Sequence, residues 1–211
     1  MLGFKVVPVT PFAQNCTVVW CEQSKLAAVV DPGGELEKIL GVIDQNNLTL
    51  DKILITHAHL DHAGGTAELA GKSNVAIIGP HRDDQFWIDL LPEQCRQFGF
   101  EGEVFTPDQW LTGDETIPLG ELEFAVVHCP GHTPGHVVFV ELTQQFALVG
   151  DVLFQGSVGR SDFPRGDHRQ LIASIKNKLL PLGDGIRFVP GHGPMSTFGQ
   201  ERRQNPFIVN A

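Results

Sequence analysis

The sequence has only four cysteines, Cys16, Cys21, Cys95 and Cys129, and no two of them stand in C-x-x-C spacing. That excludes a cysteine zinc knuckle and argues against a disulfide framework, so the thiols are expected to be reduced, buried and inert. No apolar run is long enough to span a bilayer, and the opening MLGFKVVPVTPF does not read as a signal peptide. A cytoplasmic protein is expected. Positive charge is scarce: 15 lysines and arginines against 25 acidic residues leave a net charge of −10, which opposes non-specific attraction to nucleic acid or to an anionic membrane. No linker, low-complexity tract or visible repeat divides the chain. With 211 residues and 42% hydrophobic content, residues 1–211 are expected to form one domain with a normal core.

The segments that are present alternate in type. FKVVPV, NCTVVWCE and KLAAVVD read as valine-rich strands, followed by a helix at LEKILGVIDQN with spaced apolar positions. KILIT reads as a buried strand, HAGGTAELAG as a helix ended by Gly71, VAIIG as a strand, and HRDDQFWIDLL as a helix stopped by Pro92. In the second half LEFAVVHCP, HVVFVEL, QFALVGD and IRFVPG are expected strands, with helices at HRQLIASIKNKLL and GQERRQN. The mixture implies an α/β fold of two sheets with helices packed outside them.

One short stretch stands out. Directly behind the KILIT strand, THAHLDHAGG places His57, His59, Asp61 and His62 within six positions. Strand ends are where α/β folds build sites. Residues two apart in an extended segment project to one side, so His57 and His59 share a direction, while Asp61 and His62 lie on the turn into the next helix. Three imidazoles and a carboxylate with no basic residue among them are poorly satisfied unless a cation takes their lone pairs. Four ligands exceed the three of an open catalytic zinc site, which points to two metals and to further ligands elsewhere. His132 in CPGHTPGH, Asp151 in LVGDVLF and His192 in FVPGHGP each follow an apolar strand. The seven divide as His57, His59 and His132 on one ion and Asp61, His62 and His192 on the other, with Asp151 bridging.

These residues resemble the T-H-x-H-x-D-H signature of the metallo-β-lactamase superfamily, with His132, Asp151 and His192 at its later ligand positions. The resemblance covers nearly the whole chain and implies a four-layer αββα sandwich with the metals at the sheet edge. Within the superfamily, FAQNC, VDPGG, CPGHTPGH, GRSDFPRGD and VPGHGPMSTFGQERRQNPF are similar to type II glyoxalases, the hydroxyacylglutathione hydrolases, in a short bacterial form. Only 19 residues follow His192, so the resemblance implies a form without the C-terminal helical domain of the longer enzymes.

No Ser-His or Cys-His pair is evident, so a metal-activated hydroxide is the expected nucleophile, with the developing oxyanion stabilised by coordination. A thiolate departs without a strong acid, its thiol pKa being about 8.5. Asp61 or Asp151 could shuttle the proton of the attacking hydroxide, though both are tied to metal and are poor donors; a thioester therefore fits, and the resemblance implies S-D-lactoylglutathione as substrate. The cofactors are two divalent ions, zinc foremost, with iron or manganese compatible with the same donors. Arg160 and Arg165 are the candidate anchors for glutathione carboxylates, against internal pairing with Asp162 or Asp167; Arg202 and Arg203 are alternatives. His81, His128 and His168 are expected to be ordinary polar residues, and His136 either supports a ligand or merely packs. Asp31 in DPGG is a turn residue first and a prop for the metal loop second. The rival functions are an iron-dependent glutathione persulfide dioxygenase, a nuclease of the same superfamily, a secreted β-lactamase and a non-catalytic metal-binding module. The nuclease lacks its basic face here, and the dioxygenase resemblance expects a cysteine where His136 stands.

Overall fold

The valine-rich opening segments pair in sequence order. In the computed structural model, which describes residues 1–210, β1 (Leu2–Val9), β2 (Gln14–Cys21) and β3 (Leu26–Val30) form an antiparallel meander. β4 (Thr49–Leu54), β5 (Ala76–His81) and β6 (Gln109–Leu111) then extend the sheet in parallel from β3. The second sheet is built from β7 (Thr116–Leu119), β8 (Leu122–His128), β9 (Val137–Glu141) and β10 (Phe146–Gly150). A short hairpin, β11 (Leu153–Phe154) and β12 (Ser157–Val158), stands apart before β13 (Arg187–Pro190) and β14 (Ser196–Thr197) complete that sheet in the order β14-β13-β10-β9-β8-β7.

Period-two alternation assigns each strand face to a layer. Val18 faces the helix side of the first sheet, where it joins Leu36, Ile39 and Ile43 of α1 (Leu36–Gln45). Its neighbour Val19 faces inward with Ala28 and Leu54 to meet Phe124, Phe139 and Phe146 of the second sheet. On the far side Val138, Val140 and Phe188 pack under Leu171 and Ile172 of α6 (His168–Ser174), whose chain continues in a wider turn over Ile175–Leu179. α2 (Leu60–Ala63), α3 (Thr66–Ser73), α4 (Gln85–Asp89) and α5 (Leu91–Gln97) lie in the first outer layer, and α7 (Phe198–Gln204) and α8 (Pro206–Val209) in the second. The result is helix, sheet, sheet, helix, the expected αββα sandwich. Each fully buried phenylalanine between the sheets contributes about 1.5–3 kcal/mol through removal from water. Among the described residues no helix is long and apolar enough to cross a membrane.

Three expected boundaries are corrected. The helix over residues 62–71 is two helices, broken at Gly64–Gly65, and α3 runs past Gly71 to Ser73. The break exists because the DPGG turn packs against α2 at backbone distance: a Cβ on Gly33 would lie 1.6 Å from the Asp61 carbonyl, and one on Gly64 would lie 2.9 Å from that of Gly33. Pro92 does not stop a helix; it stands in the first turn of α5, where its missing N–H costs nothing. His81 closes β5 instead of opening a helix, and a 3₁₀ turn over Arg82–Asp84 precedes α4.

The first hairpin is stitched to the last loop. The Asn15 N–H donates to the Gly191 carbonyl at 2.7 Å, and Asn15 Nδ2 donates to the carbonyls of Pro190 and Gly193 at 3.0 and 2.9 Å.

Candidate metal centre

Four segments converge at one edge of the sandwich, each leaving the carboxyl end of a strand: Ile55–His62 after β4, 129–136 after β8, Asp151 after β10, and 191–192 after β13. His57, His59 and His132 come together so that one ligand atom from each lies within 4.8 Å of the others, and Asp61, His62 and His192 do the same. The Asp151 carboxylate lies between these groups. Its Oδ1 is 3.3 Å from His62 Nε2, and its Oδ2 is 3.6 Å from His132 Nε2 and 3.7 Å from His192 Nε2. All seven candidate ligands are thus gathered at this edge, and Asp31 with His57 and His62 makes a third such group that runs across the two expected sets.

The far nitrogens of four of these histidines are held by the protein, which fixes where the other nitrogen points. His62 Nδ1 donates to Asp31 Oδ2 at 2.9 Å, His132 Nδ1 to the Arg160 carbonyl at 2.6 Å and His192 Nδ1 to the Phe12 carbonyl at 3.2 Å. His57 Nδ1 is 3.0 Å from Thr56 Oγ1, which itself donates to Asp31 Oδ2 at 2.6 Å. Asp31 also accepts the Thr56 N–H at 2.7 Å, so the turn residue does prop the metal loop. By contrast His57 Nε2 and Asp151 Oδ1 are buried without a hydrogen-bond partner among the described residues. Orphaned lone pairs cost roughly 1–3 kcal/mol each unless something takes them. Converging imidazoles and carboxylates with buried free lone pairs fit a pair of divalent cations, and the donor set suits zinc, iron or manganese alike.

Charge in the site follows the same logic. Burial holds His57 and His59 well below the usual imidazole range, leaving them neutral and able to donate a lone pair. Burial also opposes charge on His62 and Asp151, but the Asp151 and Asp61 carboxylates win at the imidazole and raise it, and His62 pulls the Asp151 carboxyl far down, so a cation at His62 Nε2 would have to take the place of that proton. Asp61 is lowered as well, its burial outweighed by His62 and His192. Both carboxylates are therefore ionised and are poor proton donors.

His136 supports the centre: its Nε2 accepts the Asp151 N–H at 3.0 Å, and its ring stacks on His57 at 4.5 Å. His81 and His128 stack on each other at 4.2 Å, and His168 is an exposed residue at the start of α6. All four cysteines are free and buried, and burial pushes the Cys129 thiol up to about 12, which removes it as a nucleophile.

Sequence reasoning missed Asp84. This fully buried carboxyl accepts the Ala58 N–H at 3.1 Å, the Thr133 hydroxyl at 2.8 Å and the Gly135 N–H at 2.6 Å. It clamps the His57–His59 segment to the loop carrying His132. Burial pushes its pKa up to about 7 against those three hydrogen bonds. Nothing in HRDD distinguishes it from a solvated acidic pair, because its partners, two backbone N–H groups and the Thr133 hydroxyl, are far away in sequence.

The centre opens into a cavity of about 750 Å³ walled by Phe12, Trp87, Phe98, Phe154 and Phe163. Arg160 lines it, but its guanidinium already makes a two-pronged pair with Asp162 at 2.9 and 2.8 Å and lies over the Phe163 ring. Arg165 does not line the cavity; its guanidinium stacks on Phe86 at 4.3 Å. Arg202 and Arg203 pair with Asp184.

A family model described as metallo-beta-lactamase superfamily matches residues 9–192. The chain is 46% identical to hydroxyacylglutathione hydrolase GloC of Haemophilus influenzae over 209 residues, covering 98% of both. Among solved structures it is similar to BLEG-1 B3 metallo-beta-lactamase, at 36% identity and TM-score 0.90, covering 98% of this chain and 100% of that one. It is also similar to TTHA1623 in a di-iron-bound form, at 36% identity and TM-score 0.87, covering 96% and 99%.

Proposed function

The chain belongs to the metallo-β-lactamase superfamily, and from that premise we propose that it is a thioester hydrolase that converts S-D-lactoylglutathione and water to D-lactate and glutathione. The observation that carries the reading is the Asp151 carboxylate lying between two three-ligand groups at the floor of an aromatic cavity whose one hydroxyl, on Ser157, is bonded to the Val158 carbonyl and has no histidine base. The name of the 46% identical relative supports the choice of thioester.

His57, His59 and His132 would hold one divalent ion and Asp61, His62 and His192 a second, with Asp151 shared. Such ions supply Lewis acidity, lowering the pKa of water from about 15.7 towards neutrality and drawing charge from a carbonyl oxygen. In the hydrolysis a water oxygen bonds to the thioester carbon, the C–S bond breaks, and its electron pair leaves on sulfur. One water proton ends on the thiol and the acid proton goes to solvent. Asp61 and Asp151, held ionised, accept hydrogen bonds and do not deliver protons. Every histidine and carboxylate lining the cavity is a candidate metal ligand, which leaves no dedicated acid and suits a thiolate leaving group better than an amine. Asp31, Asp84 and His136 keep the ligand segments in register, while Trp87 and Phe163 exclude bulk water from one wall.

The test is steady-state hydrolysis of a thioester panel by metal-analysed protein, with elemental analysis expected to give two ions per chain at full activity. One ion at full activity, with oxygen uptake on glutathione persulfide, would replace this reading by a dioxygenase. Cleavage of a β-lactam without any thioesterase activity would overturn it equally.

A further inference from the structure

We propose that the cavity has a charged end for the thiol portion of the thioester and an apolar end for its acyl group, and that the apolar end extends the enzyme's range beyond lactoyl to bulkier acyl groups, which it turns over more efficiently. This rests on the thioester reading and adds the acyl class to it. The charged end adjoins the first ligand group: Phe163 lies 4.7 Å from His59 and 5.7 Å from His132, ring to ring, and carries the Arg160 guanidinium 4.5 Å from its centroid. Among the described residues Arg160 is the only lysine or arginine lining the cavity. A thiol bearing carboxylates has no other guanidinium or ammonium to approach, and would take this one from Asp162, which now holds it at 2.9 and 2.8 Å.

The opposite end adjoins the second group. The Phe12 carbonyl holds His192 Nδ1 at 3.2 Å, and Phe154 faces the His192 ring at 6.4 Å. Phe12 and Phe98 come from segments far apart in the chain yet meet edge to face at 5.3 Å, with 39% and 57% of their surfaces exposed. Two phenyl rings brought together at the mouth of a reaction cavity and left open to water are surface waiting to be covered. Lactoyl, small and carrying a hydroxyl, covers little of it. An acyl chain would place its methylenes against the two rings; full burial of one is worth about four-fold in affinity, so two buried between rings that stay partly open account for a gain of about ten-fold.

The experiment keeps glutathione constant and varies the acyl group through acetyl, lactoyl, butanoyl and hexanoyl, with the metal-loaded enzyme. The expected kcat/KM rises at least ten-fold from acetyl to hexanoyl. Phe98→Ala flattens the series, and Phe98→Leu restores most of the slope. Independently of turnover, calorimetry should show S-hexylglutathione binding the holoenzyme about ten-fold tighter than S-methylglutathione, with the gap narrowed in Phe98→Ala. A flat or falling series with lactoylglutathione still hydrolysed overturns the apolar end and leaves the thioester reading standing. If no thioester is cleaved, the thioester reading fails; calorimetry then decides the apolar end alone, and equal binding of the two ligands overturns it.

Discussion

Asp84→Asn should change how stability depends on pH more than it changes stability at any single pH. In the folded chain burial lifts the Asp84 pKa to about 7, whereas an unfolded aspartate titrates near 3.9. A group raised on folding lends stability that is fully present below its unfolded pKa and is lost as pH rises through its folded one. The unfolded state has released the proton throughout pH 5–7 while the folded state still binds it, so the wild type should lose stability across that interval. Two of the roughly three pH units separating the two pKa values lie above pH 5. At about 1.4 kcal/mol per unit this gives a loss of about 3 kcal/mol between pH 5 and pH 8. Asparagine cannot titrate, and its carbonyl can still accept from Ala58 N–H and Thr133 Oγ1, leaving one poor contact at Gly135 N–H. The assay is urea unfolding of chelator-stripped wild type and variant at pH 5 and pH 8, so that proton competition at the metal ligands cancels in the difference. The variant should gain about 3 kcal/mol relative to wild type on moving from pH 5 to pH 8. Parallel pH profiles would refute the reasoning and show that the three hydrogen bonds keep Asp84 ionised despite its burial.

Two further outcomes test the site. If the Arg160 guanidinium binds a glutathione carboxylate, Asp162→Ala should lower KM for the glutathione thioester several-fold by freeing it, and Arg160→Ala should raise KM with less change in kcat; matching changes in thermal stability with KM constant would make the pair structural. Gly191→Ala should strip metal and activity together, as Asp151→Asn should, because a Cβ there would sit 2.0 Å from Asp151 Oδ1 and 2.6 Å from His62 Cε1; elemental analysis showing full occupancy with normal turnover would remove Asp151 from the bridge.

The metal centre was legible because chemistry was concentrated in one short segment and because each remaining ligand followed an apolar strand. His57 to His62 declared themselves by spacing, and the flanking valine and phenylalanine alternation declared the two sheets. What escaped was set by tertiary contact. The helix expected through Gly64 and Gly65 is interrupted by the Gly33 turn packed against it, and no local pattern records that approach. Pro92 has the same identity whether it stops a helix or starts one; only the preceding turn decides. Asp84 and Asp31 act through backbone groups and imidazoles 25 or more positions away. The paired state of Arg160 was legible as an alternative, since Asp162 stands two positions on, but its choice between partners depends on the Phe163 ring beneath it.

The stitching of Asn15 to Pro190 and Gly193, across 175 and 178 positions, sets the order in which the centre can be assembled on a growing chain. His57, His59, His132 and Asp151 are all made before residue 152, so a nascent chain can gather one complete ligand group while the second still lacks His192. That last histidine needs residue 15 to meet residues 190–193, a long-range contact that can form only after both are made, although the added loop length itself costs little. On the two-ion reading, metal capture during synthesis should be stepwise, with the His57 group loading first and the Asp61 group only after the final loop docks on the first hairpin.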